Sequence, residues 1–162
     1  MPGEFYFMAV GGLGVMLAGF AGLIAALQGR EGPVAAWRIR NVVYQGFAVT
    51  ITGLGTVALY AITQDVTLTV RLASIVLVAL RAANWGELRP SAAWRTEPQR
   101  RAGIAIQLAF AIAIVVNVAL ASVGYLQLLL LVALTSPAGI FSLAVRDVTR
   151  GDASNAVEEP KV

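Results

Sequence analysis

The sequence contains no cysteine and no histidine. Without cysteine it has no disulfide, no thiolate nucleophile, no iron–sulfur cluster and no cysteine-ligated zinc site. Without histidine it has no imidazole to ligate haem or copper or to serve in the usual catalytic triads. An ordinary intramembrane hydrolase or redox enzyme is therefore disfavoured, and we expect neither a metal site nor a cofactor.

Charge is scarce as well. Only 13% of the 162 residues are charged and 58% are hydrophobic, whereas a soluble domain carries roughly 25% charged residues. The mean hydropathy is +0.76. A chain of this length fits one domain. The composition predicts a single-domain integral membrane protein.

Long uncharged runs predict an all-α fold with five transmembrane helices, since about 20 apolar residues span a hydrocarbon core of roughly 30 Å. We expect the spans at residues 5–27, 42–63, 66–85, 104–123 and 125–145. The last two runs are too long together for one crossing, which places a break at Gly124. Residues 1–150 then form the membrane domain, and the polar tail 151–162 is expected to be disordered.

Basic residues occupy every second segment outside the predicted spans. The segments after the first, third and fifth spans carry them, and the other three carry none. The positive-inside rule then requires an odd number of spans, with the N-terminus outside and the C-terminus inside. The basic residues in the three segments are Arg30, Arg38 and Arg40; Arg89, Arg95, Arg100 and Arg101; and Arg146, Arg150 and Lys161.

The basic segments after the first and third spans resemble each other. Residues 23–38 align without gaps on residues 80–95, a shift of 57 residues, with nine of sixteen positions identical. The pairs that carry most weight are Gly29 with Gly86, Pro33 with Pro90, and Trp37-Arg38 with Trp94-Arg95. One interpretation is a tandem duplication of a two-helix hairpin, helices 1–2 and 3–4, with a fifth helix added. The other is that Pro, Trp and Arg collect at cytoplasmic interfaces in any case.

The first span contains a row of small residues four apart, Gly14, Ala18, Gly22 and Ala26. Small side chains let another helix backbone approach closely, which stabilises packing where lipid supplies no hydrophobic drive. The row predicts a helix-packing interface. It fits contact within the monomer, or contact with a second copy or another membrane protein.

Polar residues inside the spans form a candidate path. The second helix aligns Gln45, Thr52 and Thr56 along one line. Hydrogen bonding within the protein explains such a stripe, including bonds from Thr to its own helix; the alternative is a polar permeation path. The path would also include Arg71, Gln107, Asn117, Ser136 and Pro137.

Two arginines and one proline stand out within the spans. Arg71 near the outer end of the third span is expected either to pair with Glu4 or Asp65 or to attract anions at an outer vestibule. Arg81, together with Trp85, is interpreted as an anchor at the inner interface. Pro137 should kink the fifth helix and free the carbonyl of Ala133, which leaves either a kinked packing helix or a broken helix that coordinates an ion.

These features favour a multi-pass membrane protein without enzymatic activity, a structural or interaction subunit that packs through its first helix. The alternative is a passive channel or transporter for a small anion or neutral solute, because no span carries Asp or Glu for proton or sodium coupling. A lipid-directed enzyme would have to use Glu87, Glu97 or Asp147, and no paired-acid spacing or activated nucleophile supports it.

The basic residues flank helices and do not build one groove, so the expected partners are the lipid bilayer and either a second copy or another membrane protein, with no nucleic acid. The compact chain and its eleven Arg to one Lys indicate a bacterial inner (plasma) membrane.

Overall fold

The computed structural model describes residues 1–28, 33–83 and 97–157, and every regular element in these residues is an α-helix. The helices are α1 (Glu4–Gln28), α2 (Pro33–Thr63), α3 (Val66–Ala83), α4 (Glu97–Leu120) and α5 (Val123–Val157). Each contains a stretch long and apolar enough to cross a membrane. The protein is an all-helical, multi-pass membrane protein. Half of the repeat predicted from residues 23–38 and 80–95, namely residues 29–32 and 84–95 with Trp85 and Trp94, lies outside the described residues.

Helix α2 lies at the centre of the bundle. It packs against α1, α3 and α5, whereas α4 packs mainly against α3 and touches α5 at few points. A core of apolar side chains joins all five helices because each contributes a buried stripe. Large apolar side chains also cover the outside of the bundle, where lipid is their solvent. The fully buried large side chains of this core are Phe7, Val49, Val70, Leu77, Ile114, Leu126 and Leu130.

Two short turns connect α2 to α3 and α4 to α5 at the same end of the bundle, here named the turn end. In the first, Gln64 adopts a left-handed backbone with φ of 53°, and the side chain of Asp65 accepts a hydrogen bond from Leu68 N at 3.0 Å. In the second, Ala121 has φ of 51° and the Ser122 hydroxyl accepts from Tyr125 N at 3.3 Å. Each turn therefore ends one helix and caps the next.

The second turn lies at Ala121–Ser122 and not at Gly124, where the sequence placed it. Gly124 is already inside α5. The physical reason is that Asn117 holds the end of α4: its side-chain Oδ1 accepts from Ser122 N at 3.2 Å, while its backbone carbonyl accepts from Ala121 N. A capping serine and an asparagine determine the break, and glycine is not required there.

Helix α5 continues through residues 151–157, which were expected to begin a disordered tail. No proline occurs between Pro137 and Pro160, so nothing in that stretch removes a backbone donor and stops the helix. Residues 158–162 lie outside the described part of the chain.

Candidate functional site

The predicted small-residue row on α1 is divided between two environments. A Cβ atom built on Gly14 would lie 2.6 Å from the Gly46 carbonyl oxygen on α2, and one on Gly46 would lie 3.2 Å from the Ala18 Cβ. Such distances leave no room for a side chain at either glycine. Gly14 and Ala18 therefore pack against α2 within the chain. Ala26 continues the backbone of the same helix.

Gly22 belongs to the same row, but a Cβ there would meet nothing within 4 Å. Gly12 and Gly19 have the same open surroundings. Large exposed apolar side chains lie around these glycines and give α1 an outward face of shallow gaps. The members of this face, here named the α1 outer face, are Phe5, Met8, Gly12, Val15, Met16, Gly19, Gly22 and Leu23.

The polar stripe of α2 is buried but hydrogen-bonded largely to its own helix. Thr52 donates to the Ala48 carbonyl at 2.8 Å and Thr56 donates to the Thr52 carbonyl at 2.6 Å. Gln45 donates to the Asn41 side chain at 2.9 Å. In the described part of the chain, the side-chain oxygen Oε1 of Gln45 is buried without a hydrogen-bond partner. Two of the three predicted path residues in α2, Thr52 and Thr56, thus donate their hydroxyl hydrogens to backbone carbonyls of the same helix.

Arg71 is exposed on the outside of α3, and within the described residues it forms no ion pair with Glu4 or Asp65. Glu4 instead pairs with the N-terminal ammonium at 3.5 Å, and Asp65 caps α3. The expected ion pair of Arg71 is therefore not formed. Its exposed position also separates it from the buried stripe of α2.

Asn117 links α4 to α3 in the core. Its side-chain amide donates to the Ser74 hydroxyl at 3.1 Å, and both residues are fully buried. Because its Oδ1 also holds the second turn, the side chain has partners at both ends. Asn117 has a structural task that accounts for its burial.

Arg81 points into the bundle and is not the interface anchor that the sequence suggested. Its Nη2 donates to the Ala133 carbonyl at 3.5 Å, and its Cζ lies 5.0 Å from the centre of the Phe110 ring. Pro137 is buried inside α5 and has no N–H, so the Ala133 carbonyl lacks its helical donor. Arg81, on α3, supplies a donor to this carbonyl, and its charged guanidinium lies over the Phe110 ring of α4.

The helix register places this charge about half way along the candidate membrane spans of α4 and α5. Ala133 lies ten residues after the start of α5 and Phe110 ten residues before the end of α4, each about 15 Å from the turn end. The Arg81 backbone lies about 22 Å from the turn end, and a helical side chain points back toward its own N-terminus. Its guanidinium therefore reaches about half way across a core of roughly 30 Å.

Three of the predicted path residues lie on the helix faces around Arg81. Pro137 and Ser136 follow Ala133 by one turn on α5, and Gln107 precedes Phe110 by one turn on α4. Ser136 and Gln107 are half-buried, and neither side chain forms a hydrogen bond in the described part of the chain. The structure thus groups Gln107, Ser136 and Pro137 with Arg81, apart from Gln45, Thr52 and Thr56.

We name Arg81, Gln107, Phe110, Ser136 and Pro137 the midplane cluster. Sequence reasoning missed Arg81 as its centre because a side chain near a helix end is expected to reach the nearer interface. The available signal was direction: on α3 the Arg81 side chain points toward the turn end, away from the nearer interface. Pro137, which frees a carbonyl at the matching depth, was the second signal.

The described residues hold no group of three or more acidic side chains that could bind a metal ion. No protein-family model matches the chain, and neither a curated protein nor a solved structure matches it. Function must therefore be argued from the geometry alone.

Proposed function

We propose that the protein is a non-enzymatic interaction subunit of a bacterial inner (plasma) membrane, and that its α1 outer face binds a second copy of the chain. The observation that carries the proposal is the open space at Gly12, Gly19 and Gly22. Another membrane protein that offers the same kind of helix is the alternative partner.

The energetic argument compares glycine with alanine on a helix surface. Glycine in a helix interior is about 1 kcal/mol less favourable than alanine, and a glycine that faces only lipid recovers nothing for this loss. A second helix backbone that enters the gap does recover it, through close van der Waals contact. The glycines at Gly14 and Gly46 already make such a contact within the chain. The outward glycines offer the same geometry to a partner.

The test is a leucine at Gly19, which fills the gap without touching the chain's own helices. We expect the wild-type protein to form oligomers in uncharged detergent and in nanodiscs, and Gly19→Leu to run as a folded monomer in light scattering. The matched control is Ala109→Leu on the exposed side of α4, which should leave the oligomer intact.

A monomeric wild type in lipid, or an unchanged Gly19→Leu oligomer, would contradict the self-association. If the wild type co-purifies with a different membrane protein and Gly19→Leu does not, the partner is that protein and not a second copy.

The topology proposed for this subunit is N-terminus outside and C-terminus inside, supported by the alternation of basic segments. Single cysteines at Gly3, Gln64, Gly124 and Ser154 can be labelled with an impermeant thiol reagent in intact cells. The first three should react and the last should not. A reactive cysteine at Ser154 would refute the orientation.

We also propose that the chain arose by tandem duplication. The two capped turns support this, because Gln64 and Ala121 are 57 residues apart, the same shift that aligns residues 23–38 with 80–95. Val66 and Val123, which begin α3 and α5, are 57 residues apart as well. The repeat would then relate α2–α3 to α4–α5 in addition to α1–α2 and α3–α4.

Duplication with retained orientation requires Trp37 and Trp94 to lie at equal depth. Single-tryptophan variants in vesicles of brominated lipids should give the same quenching profile for the two positions. Profiles that place the two rings at opposite membrane faces would exclude a parallel repeat.

A second candidate function, passive passage of a small anion, is favoured by one observation, the positive charge of Arg81 half way across the bundle. If the protein passes small anions, vesicles that contain it should show a measurable flux of chloride or nitrate. Ser136→Leu should abolish this flux, because the larger side chain narrows the midplane cluster. Vesicles that stay tight with wild-type protein would leave the interaction subunit as the proposal to pursue.

A further inference from the structure

We propose that Arg81 and Ser136 form a binding site for an oxyanion, a phosphate or carboxylate group, half way across the membrane. This site does not depend on self-association through the α1 outer face. It does not depend on solute passage either, because a bound anion can remain in place as a counter-ion. Its ligand comes either from water or from a lipid headgroup, and both present the same oxygen acceptors.

The guanidinium of Arg81 leaves most of its hydrogen-bonding capacity unused. It has five N–H donors, and the one bond it forms, to Ala133, is long at 3.5 Å. Nε is buried without a partner, and Nη1 makes no hydrogen bond in the described part of the chain. Buried donors on a charged group are costly to leave unpaired. An acceptor from outside the chain would satisfy them.

Arg81 also has no acidic partner among the described residues, which leave out residues 84–96. In the described residues the ion pairs are those of Glu4 with the N-terminus and of Glu97 with Arg101, and neither involves Arg81. The face of the Phe110 ring attracts the cation but carries no net charge. A charged side chain inside a membrane is costly to bury without a counter-charge. An anion supplies the missing opposite charge, and a neutral ligand does not.

The remaining polar groups of the midplane cluster are hydroxyl and amide donors and not carboxylates. Ser136 lies one turn after Ala133 on α5, and helical Cα–Cβ bonds tilt toward the helix N-terminus, which on α5 is the direction of Ala133. Gln107 adds an amide one turn farther from the turn end. A set of donors with one fixed positive charge selects an anion over a metal cation.

A ligand can reach this charge between α4 and α5. Arg81 is half-buried, so part of its side chain retains accessible surface. The two helices touch at few points, and the membrane span of α4 is the least buried of the five. The sparse contact between α4 and α5 makes this the side from which a ligand would approach Arg81.

The experiment titrates the purified full chain in an uncharged maltoside detergent with sodium phosphate, against sodium chloride at equal ionic strength, and follows the thermal unfolding midpoint. A second arm compares nanodiscs of phosphatidylcholine with nanodiscs that contain phosphatidylglycerol. A ligand that binds the folded state raises the midpoint in a saturable way. A response to phosphate in detergent identifies a dissolved anion, and a response to phosphatidylglycerol alone identifies a lipid headgroup; both support the site.

The variant that tests the assignment is Arg81→Met, which keeps the apolar stem and removes the guanidinium. We expect its affinity for the active ligand to fall at least tenfold. Arg71→Met removes the same charge from the same helix at an exposed position and should change the affinity less than twofold. This control separates the site from a general effect of net charge.

Equal affinity of wild type and Arg81→Met, or no saturable response of wild type in either arm, would overturn the proposal. If Arg81→Met does not fold, Ser136→Ala decides the matter, since loss of one small hydroxyl is tolerated in a half-buried position. It should weaken binding about three- to tenfold, and an unchanged affinity would count against the site.

Discussion

The α1–α2 pair and the α3–α4–α5 group are held together in different ways. In the first, glycines bring the two backbones into contact, and the Thr50 hydroxyl donates to the Gly11 carbonyl across the interface at 2.9 Å. In the second, side chains make the contacts, with Asn117 bonded to Ser74 and Arg81 reaching Ala133. The first pair is closed because nothing fits between its helices. The second group has side chains with unused hydrogen-bonding capacity.

The difference shows why a membrane bundle can combine rigidity with a polar site. Backbone contact needs small residues and excludes larger ones, so the α1–α2 pair cannot accommodate a ligand. Side-chain contact leaves gaps where a proline frees a carbonyl, and a polar group must then come from a neighbouring helix. Pro137 and Arg81 meet this requirement together.

The largest expected effect separates two faces of the same helix. Gly14→Ala places a Cβ against the Gly46 carbonyl, a backbone atom that cannot move alone, and should destabilise the fold by about 1–3 kcal/mol. Gly12→Ala faces open space and should stabilise it by up to about 1 kcal/mol. Unfolding titrations with sodium dodecyl sulfate in mixed micelles measure both free energies.

Equal changes in the two glycine variants would mean that α1 and α2 do not meet at Gly14. Because Gly12 belongs to the α1 outer face, Gly12→Ala should also weaken the oligomer. An oligomer of unchanged stability would count against that face as the interface.

An intermediate effect tests whether Arg81 and Pro137 act as a unit. Pro137→Ala restores a backbone donor to the Ala133 carbonyl, so the Arg81 side chain is needed less. In a double-mutant cycle, Arg81→Gln should therefore change the free energy of unfolding less favourably in the wild type than in Pro137→Ala, by a coupling of about 0.5–2 kcal/mol. The same micelle titration provides the four free energies of unfolding. Additive effects would show that the contact contributes nothing to stability.

The smallest effect concerns the two turns. Gln64 and Ala121 have left-handed backbones, which side chains other than glycine disfavour. Gln64→Gly and Ala121→Gly should each stabilise the protein by about 0.5 kcal/mol, because relief of that conformation exceeds the added freedom of the unfolded chain. Thermal unfolding of the two variants should shift in the same direction. A stabilising effect at one turn and a destabilising effect at the other would show that they are not equivalent.

The number and approximate position of the spans could be predicted from the sequence because the length of an apolar run is a local property. The break between α4 and α5 was misplaced by a few residues, since glycine is a common helix breaker while the actual turn depends on Asn117 bonding across it. The row at Gly14 and Gly22 was predicted as one interface, yet the two glycines face different surroundings. A spacing of four residues places small residues in one row, but it does not show which of them a neighbouring helix covers.

The midplane cluster was predicted in part. Gln107, Ser136 and Pro137 were identified as polar or helix-breaking residues within apolar spans, which is a signal that the sequence contains. Their grouping with Arg81 instead of Arg71 could not be predicted, because it depends on how α3, α4 and α5 are aligned along their axes. Arg71 and Arg81 lie on the same helix, and only packing makes one exposed and the other half-buried.

Composition and local hydrophobicity are enough to predict the class of solvent, the number of crossings and the absence of thiol and imidazole chemistry, because these properties do not depend on any neighbouring helix. Tertiary structure alone decided which glycines meet a helix and which remain open, and which arginine enters the bundle. The physical reason is that an α-helix satisfies its own backbone locally, whereas the partner of a side chain depends on the rotation and depth of a second helix.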